Sequence, residues 1–202
     1  MQSHVEMYKV LRYGELHNRW SMDSLKLKIT SSWIDNYKGI LLTDLDGTIR
    51  QGSHRLQLLP SQEEIAAAGD TPNIAFTRFN EAGSGDKPIQ PVIDLVKMYH
   101  TQGYYVIILT SCTCSQNTLN TLINQLEVWD VPYHAAVMRG KDNHRWPVEY
   151  KEMFLQDAGV VDYDGNVVAI DDCINNCNLF REYDILALQI EDYSRFDKGD
   201  TK

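Results

Sequence analysis

Asp44 and Asp46 stand two residues apart at the end of an apolar run, Ile40-Leu41-Leu42, and Gly47 and Thr48 follow at once. Two carboxylates in such a place are expensive to desolvate unless a cation or a proton compensates them. The pair suits transfer of a phosphoryl group, which needs an ionised nucleophile, an acid for the leaving oxygen and positive charge against the phosphate. Asp44 and Asp46 would supply the first two. Ile40 to Leu42 suits a strand buried on both faces, as in parallel sheets, and open α/β sheets take their ligands at the carboxyl ends of such strands. Gly47 permits a sharp turn there. The plainer reading is a strand followed by an ordinary Asp-Gly turn.

Other residues point to the same edge. Tyr104 to Leu109 is a β-rich apolar run ending at Thr110, whose hydroxyl suits a phosphate oxygen. Pro147 suits the first turn of a helix running to about Ala158, and Lys151 lies early in it. Val167 to Ile170 forms a further strand ending in Asp171 and Asp172. Oxygen ligands of this kind suit magnesium, which favours an ionised Asp44 while Asp46 cycles its proton. Taken singly, a Thr after a strand is a turn residue, a Lys is a solvated side chain, and an Asp pair caps a helix. Their order along one chain is what carries weight.

The elements that must position these groups alternate. Val92, Leu95, Val96 and Tyr99 recur at helical spacing up to Gly103. Ser115 can cap a helix carrying Leu119, Leu122, Ile123 and Leu126 on one face. His134 to Met138 is a short strand, Ile174 to Glu182 a helix and Ile185 to Ile190 a last strand. Strands alternating with helices predict an α/β domain, a central parallel sheet flanked by helices. Two regions fit this rhythm poorly. Met1 to Gly39 holds Trp20, Trp33 and an alternating Leu25-Lys26-Leu27-Lys28-Ile29 run that suggests a strand with one wet face. Ile49 to Asp86 is long for a connection, as lids and binding loops are.

The chain has 202 residues, 43% hydrophobic and 23% charged, enough for one domain with a sizeable core. Its net charge of -9 opposes an extended nucleic-acid-binding surface, which needs clustered Lys and Arg. No run of about 18 apolar residues exists to span a membrane, and no apolar secretory core stands at the N-terminus, so a cytoplasmic protein is expected. Cys112, Cys114, Cys173 and Cys177 lack zinc-site spacing and are expected as reduced thiols. Of the tryptophans, Trp146 lies beside the predicted site and is the best candidate to stack on a base.

Asp44-Leu45-Asp46-Gly47-Thr48 matches DxDGT, the nucleophile motif of the haloacid dehalogenase (HAD) superfamily. Within it the chain resembles the phosphatase domain of bacteriophage polynucleotide kinase and its phage and bacterial relatives. The resemblance is carried by His54-Arg55, Asp86-Lys87-Pro88-Ile89, Thr118, Met138-Arg139, Asp142, Lys151 and Ile170-Asp171-Asp172, and covers roughly residues 39–193. It implies a Rossmann-like HAD fold with a small insertion after the first core strand, an N-terminal extension over residues 1–38 and a charged tail over 194–202. Asp44 would become an aspartyl phosphate, while Asp46 protonates the leaving alkoxide and then activates water. Thr110 and Lys151 would hold the phosphate, with Thr48, Ser111, Arg55 and Arg139 on the substrate side. Mg2+ would be held by Asp44, the backbone carbonyl of Asp46, Asp171 and Asp172.

Two departures stand out. The family has Thr/Ser-Gly-Arg where this chain has Thr110-Ser111-Cys112, so an arginine is missing, and Pro147 replaces an acidic residue one turn before the lysine. No G-x-x-x-x-G-K-[ST] kinase loop occurs. The expected activity is Mg-dependent hydrolysis of a phosphate monoester on a nucleotide or a polynucleotide 3′-phosphate end. The alternatives are a small-metabolite phosphatase and a HAD-fold binding or assembly protein with vestigial activity. The sequence leaves the oligomeric state open.

Overall fold

The computed structural model describes residues 6–12, 22–31 and 34–191. Its centre is a six-stranded sheet in the order β1-β6-β5-β2-β7-β8. The strands are β1 (Tyr8–Arg12), β2 (Gly39–Thr43), β5 (Tyr104–Thr113), β6 (Ala135–Arg139), β7 (Asn166–Asp171) and β8 (Leu186–Gln189). All neighbours are parallel except β1, which pairs antiparallel with β6. This is the α/β architecture that the alternation predicts. Among the described residues no helix is long and apolar enough to cross a membrane.

The apolar run of β2 is continuous because both of its faces are covered. Ile40 and Leu42 join one core with Tyr105, Ile107 and Leu109. Leu41 joins the other with Val106 and Ile108. The first core is closed by α1 (Met22–Ile29), α6 (Pro147–Asp157) and α7 (Ile174–Glu182) through Leu25, Tyr150, Phe154 and Phe180. The second is closed by α4 (Gln90–Thr101) and α5 (Gln116–Val128) through Val92, Val96, Leu122 and Leu126. Each such side chain contributes roughly 1.5–3 kcal/mol when fully buried. Helix ends follow local chemistry. Ser115 and Thr118 form a capping box on α5, and Gly159, in the left-handed region at φ 73°, ends α6.

The N-terminal segment departs from the alternating pattern seen in its sequence. Residues 25–29 lie in α1, not in a strand, and Leu25 and Ile29 are both buried. A spacing of four puts them on one helical face. Within residues 6–38, β1 and α1 add an edge strand and a helix to the first core; Trp20 and Trp33 lie outside the described residues. The long connection after β2 is a compact insertion. It holds β3 (Arg50–Gln51), α2 (Gln62–Ala67), α3 (Thr77–Glu81), three 3-10 turns and β4 (Lys87–Pro88), which pairs with β3.

Candidate active site

The sheet register builds the site. Thr43, the last residue of β2, pairs with Ile108 on one side and Ile170 on the other. Asp44 therefore emerges level with Asp171, and its backbone N–H donates to the Ile170 carbonyl at 2.9 Å. Lys151, on α6, reaches both carboxylates. Its Nζ lies 2.6 Å from Asp44 Oδ1 and 2.5 Å from Asp171 Oδ2, with Lys151 and Asp171 each 1% exposed. Burial opposes the charge on Lys151, but Asp171 and Asp44 together hold its pKa well above the ordinary lysine value. Burial pushes the Asp44 carboxyl well above its usual range; Lys151 opposes this, and Asp171 and Asp172 add to it. Asn176 and the Cys173 N–H donate to Asp171 and fix its rotamer.

Carboxylate oxygens of Asp44, Asp171 and Asp172 lie within 4.8 Å of one another. Three acids gathered round one point, with a single lysine among them, fit a hard divalent cation. Gly47 makes room for the third. Its φ is +81°, and a Cβ there would lie 2.2 Å from Asp172 Oδ2. Gly47→Ala is expected to displace Asp172 and to cost at least about 1–3 kcal/mol of backbone strain. Thermal melting with and without Mg2+ checks this, and an unchanged melting point with a full magnesium response would contradict it.

Asp46 has a different environment. Its Oδ1 accepts from Arg50 Nε at 2.9 Å and Arg55 Nη2 at 2.5 Å. Burial alone would raise its pKa, but Arg50 and Arg55 outweigh it and hold the carboxyl down to about 2. Arg55 also grips Asp86 through Nε and Nη2, at 2.8 and 2.5 Å, and its Nη1 donates to the Phe79 carbonyl. Arg55 thus spends its nitrogens inside the protein, so it stands as a brace between the insertion and Asp46. Arg50 is braced in turn by Asp86 and by Gln125, whose Oε1 lies 2.8 Å from Nη1. Arg50, Asp86, Gln125 and Asn176 are absent from the sequence-derived site. The available signal was weak: an arginine four residues after Asp46 resembles a solvated turn residue, and Asp86 appeared only within a motif.

Thr110 is buried, and its Oγ1 accepts from the Cys112 N–H at 3.1 Å. After it β5 loses register, with Thr110 opposite Met138 and Thr113 opposite Arg139. The two extra residues, Ser111 and Cys112, form an irregularity that sends Ser111 into a cleft and Cys112 into the second core. Burial, reinforced by Asp46, pushes the Cys112 thiol up to about 12, so it is an inert packing group. All four cysteines are free. The cleft, about 230 Å³, is bordered by Asp46, Ser111 and Arg139. Arg139 donates to the carbonyls of Ser111 and Arg145 and lies over the Tyr150 ring, and burial lowers its pKa. Thr48 is not part of this cleft; its Oγ1 is buried without a hydrogen-bond partner.

With this geometry in hand, the comparisons are decisive at the level of family. Residues 74–196, more than half of the chain, match the family model of the polynucleotide kinase PNKP phosphatase domain. The chain belongs to that family. It is a HAD-type phosphatase domain, and the matched span carries Thr110, Lys151, Asp171 and Asp172, while Asp44 and Asp46 lie before it. No curated protein matches the chain in sequence. Among solved structures, a chain of the Pnkp1/Rnl/Hen1 complex superposes with a TM-score of 0.52 at 19% identity, over 77% of this chain and 46% of that one. The PNKP-family domain therefore spans less than half the length of that neighbour. A protein of Mesorhizobium loti described as HAD-like superposes with a TM-score of 0.52 at 8% identity, covering 91% and 78%. Protein tyrosine kinase A of Mycobacterium tuberculosis gives 0.50 at 13%, covering 83% and 92%. At such identities the likeness concerns the fold.

Proposed function

We propose that this PNKP-family phosphatase domain hydrolyses nucleotidic phosphate monoesters, on free nucleotides or polynucleotide 3′ ends, through an aspartyl phosphate on Asp44. The observation that carries the reading is Lys151 bridging Asp44 and Asp171, with Asp172 beside them, next to a cleft bordered by Asp46. In the first step Asp44 attacks phosphorus, the bond to the leaving oxygen breaks, and Asp46 gives that oxygen its proton. In the second, water attacks the phosphoryl group, Asp46 takes the water's proton, and Asp44 is released with inorganic phosphate. Thr110, Ser111 and Lys151 hold the phosphoryl oxygens. Arg139 faces the substrate, and Arg55 serves it through Asp46.

Asp44, Asp171, Asp172 and the Asp46 carbonyl would hold Mg2+, which would supply positive charge to balance the phosphate. Arg50 and Arg55 favour the ionised form of Asp46, and the negative charge of a bound phosphate works in the opposite direction, favouring the proton that the leaving oxygen takes. The unit that does this work spans residues 39–193, with β1 and α1 packed onto it.

A substrate panel tests the reading: nucleoside 3′- and 5′-monophosphates, an oligonucleotide with a 3′-phosphate and simple sugar phosphates, each with and without Mg2+. We expect metal-dependent phosphate release from at least one nucleotidic substrate at a higher kcat/KM than from any sugar phosphate. Release from sugar phosphates alone would refute the nucleotidic assignment and leave the phosphatase chemistry standing.

A further inference from the structure

No step described above uses residues 6–12, yet they are bonded to the segment that leads from β6 to α6. The Met7 carbonyl accepts from the Gly140 N–H at 2.9 Å and from the Asn143 carboxamide at 3.4 Å. The Glu6 carbonyl accepts from the Asp142 N–H at 3.2 Å, and the Glu6 N–H donates to Asp142 Oδ2 at 2.7 Å. These bonds continue the pairing of β1 with β6 past its last partners, Tyr8 and Arg139. Residues 140–146 hold no helix or strand of their own. Toward the insertion they are tied by His144, whose Nδ1 lies 2.7 Å from Asn73 Oδ1.

Gly140 shows how closely the two pieces lie. A Cβ on it would stand 1.9 Å from the Glu6 carbonyl oxygen and 2.5 Å from the Met7 carbonyl carbon. Both are backbone, which cannot swing aside as a side chain can. Gly140 is not among the glycines with positive φ, so the approach of residues 6 and 7, and not the turn, requires glycine there.

Two routes lead from these contacts to one side chain, Arg139. Asn143 carries the first. It is fully buried, and while its carboxamide nitrogen donates to Met7, its oxygen accepts from the Arg145 N–H at 3.2 Å. That fixes the Arg145 carbonyl, which accepts from Arg139 Nη1. Tyr8 carries the second. Its hydroxyl donates to Asp157 Oδ2 at 2.9 Å, and its ring lies against Tyr150 with centroids 5.7 Å apart. The Arg139 guanidinium lies over that same Tyr150 ring, 5.0 Å from its centroid. Arg139 is 2% exposed and has no carboxylate partner among the described residues, so carbonyls and a ring face set its aim.

Resting on the placing of Arg139 at the substrate side, we infer that Tyr8 and Asn143 are positioning residues, through which the N-terminal strand aims Arg139 at the substrate's phosphate. The segment before β2 is then a working part of the phosphatase, and its contribution is to affinity for the phosphoryl group.

Turnover of p-nitrophenyl phosphate with Mg2+ tests this without regard to which ester is the natural one. In Gly140→Ala and in Tyr8→Leu, KM should rise by about 5- to 30-fold with kcat little changed, as loss of a charge-assisted contact made equally in ground and transition states requires. Should Gly140→Ala not fold, Tyr8→Leu carries the test. Tyr8→Phe, which keeps the ring, should recover most of the loss. In an Arg139→Gln background neither change should raise KM further. Penalties that add there, or an unmoved KM in the single variants, overturn the positioning role. Nuclear magnetic resonance decides independently of activity, because Arg139 Nε donates to the Ser111 carbonyl at 2.7 Å. The Arg139 Nε–H should exchange with water at least about tenfold faster in Gly140→Ala and Tyr8→Leu than in the native protein. If no ester releases phosphate but this exchange responds, the phosphatase reading fails and the strand still positions Arg139. Equal exchange in all three proteins overturns the inference.

Discussion

Asp44→Asn is expected to abolish phosphate release, lowering kcat by at least about 10⁴-fold, the scale on which removal of a covalent nucleophile acts. The same change should leave the metal-free fold as stable as before or more so. In the folded protein the Asp44 pKa lies above its unfolded value, for burial and the neighbouring acids favour the protonated form. A raised carboxyl contributes stability below its unfolded pKa and loses it as pH rises through the folded value. When ionised, Asp44 is therefore a burden that an asparagine removes, while the amide oxygen still accepts from Lys151. Mg2+ should raise the native melting temperature by mass action, and this rise should shrink in Asp44→Asn. Thermal melts and p-nitrophenyl phosphate turnover, run on the same samples, check all three statements. Equal turnover in the two proteins would remove Asp44 from the chemistry, and a collapse in stability would show that the loss is structural.

Lys151→Met should have the largest effect on stability. The native lysine is buried between Asp44 and Asp171, so its removal leaves two adjacent carboxylates without a counter-charge. Breaking a buried pair in this way costs about 3–5 kcal/mol. The sign of the pH dependence follows. Without the lysine, which now opposes the rise, the Asp44 carboxyl moves still further above its unfolded value, so the penalty is full where that carboxyl is ionised and fades as pH falls and it takes a proton. Urea melts of native and variant protein at pH 7.5 and pH 5 should show the gap narrowing toward acid, and Mg2+ at pH 7.5 should narrow it too. A gap of the same size at both pH values would mean that lost packing, not charge, explains the change.

The parts of this molecule that are legible in its sequence are those written locally. The β2 run, the Ser115 cap and the Pro147 helix start announce themselves because each depends on a few neighbouring residues. So does the carboxyl edge, since a parallel sheet whose strands end in Asp44, Thr110 and Asp171 brings those ends together. What is not legible depends on distant partners. Strand β1 exists through its pairing with β6, more than a hundred residues away. The helices of the insertion have 5 and 6 residues, too few to display a period. The arginines beside Asp46 carry no sign of burial, because a sequence shows a charge but not the carboxylates that will surround it.

The insertion leaves the core at β3 and returns at β4, and those two strands pair, Arg50 with Pro88 and Gln51 with Lys87. Entry and exit therefore sit side by side, and the stretch between them is a cassette plugged into a single socket. Arg50, Arg55 and Asp86 belong to the socket, where they steady Asp46; Phe76, Phe79 and Asn80 belong to the cassette. Lineages could trade one cassette for another, and engineers could graft them over residues 56–85, changing the clientele of the enzyme while its reaction is inherited intact.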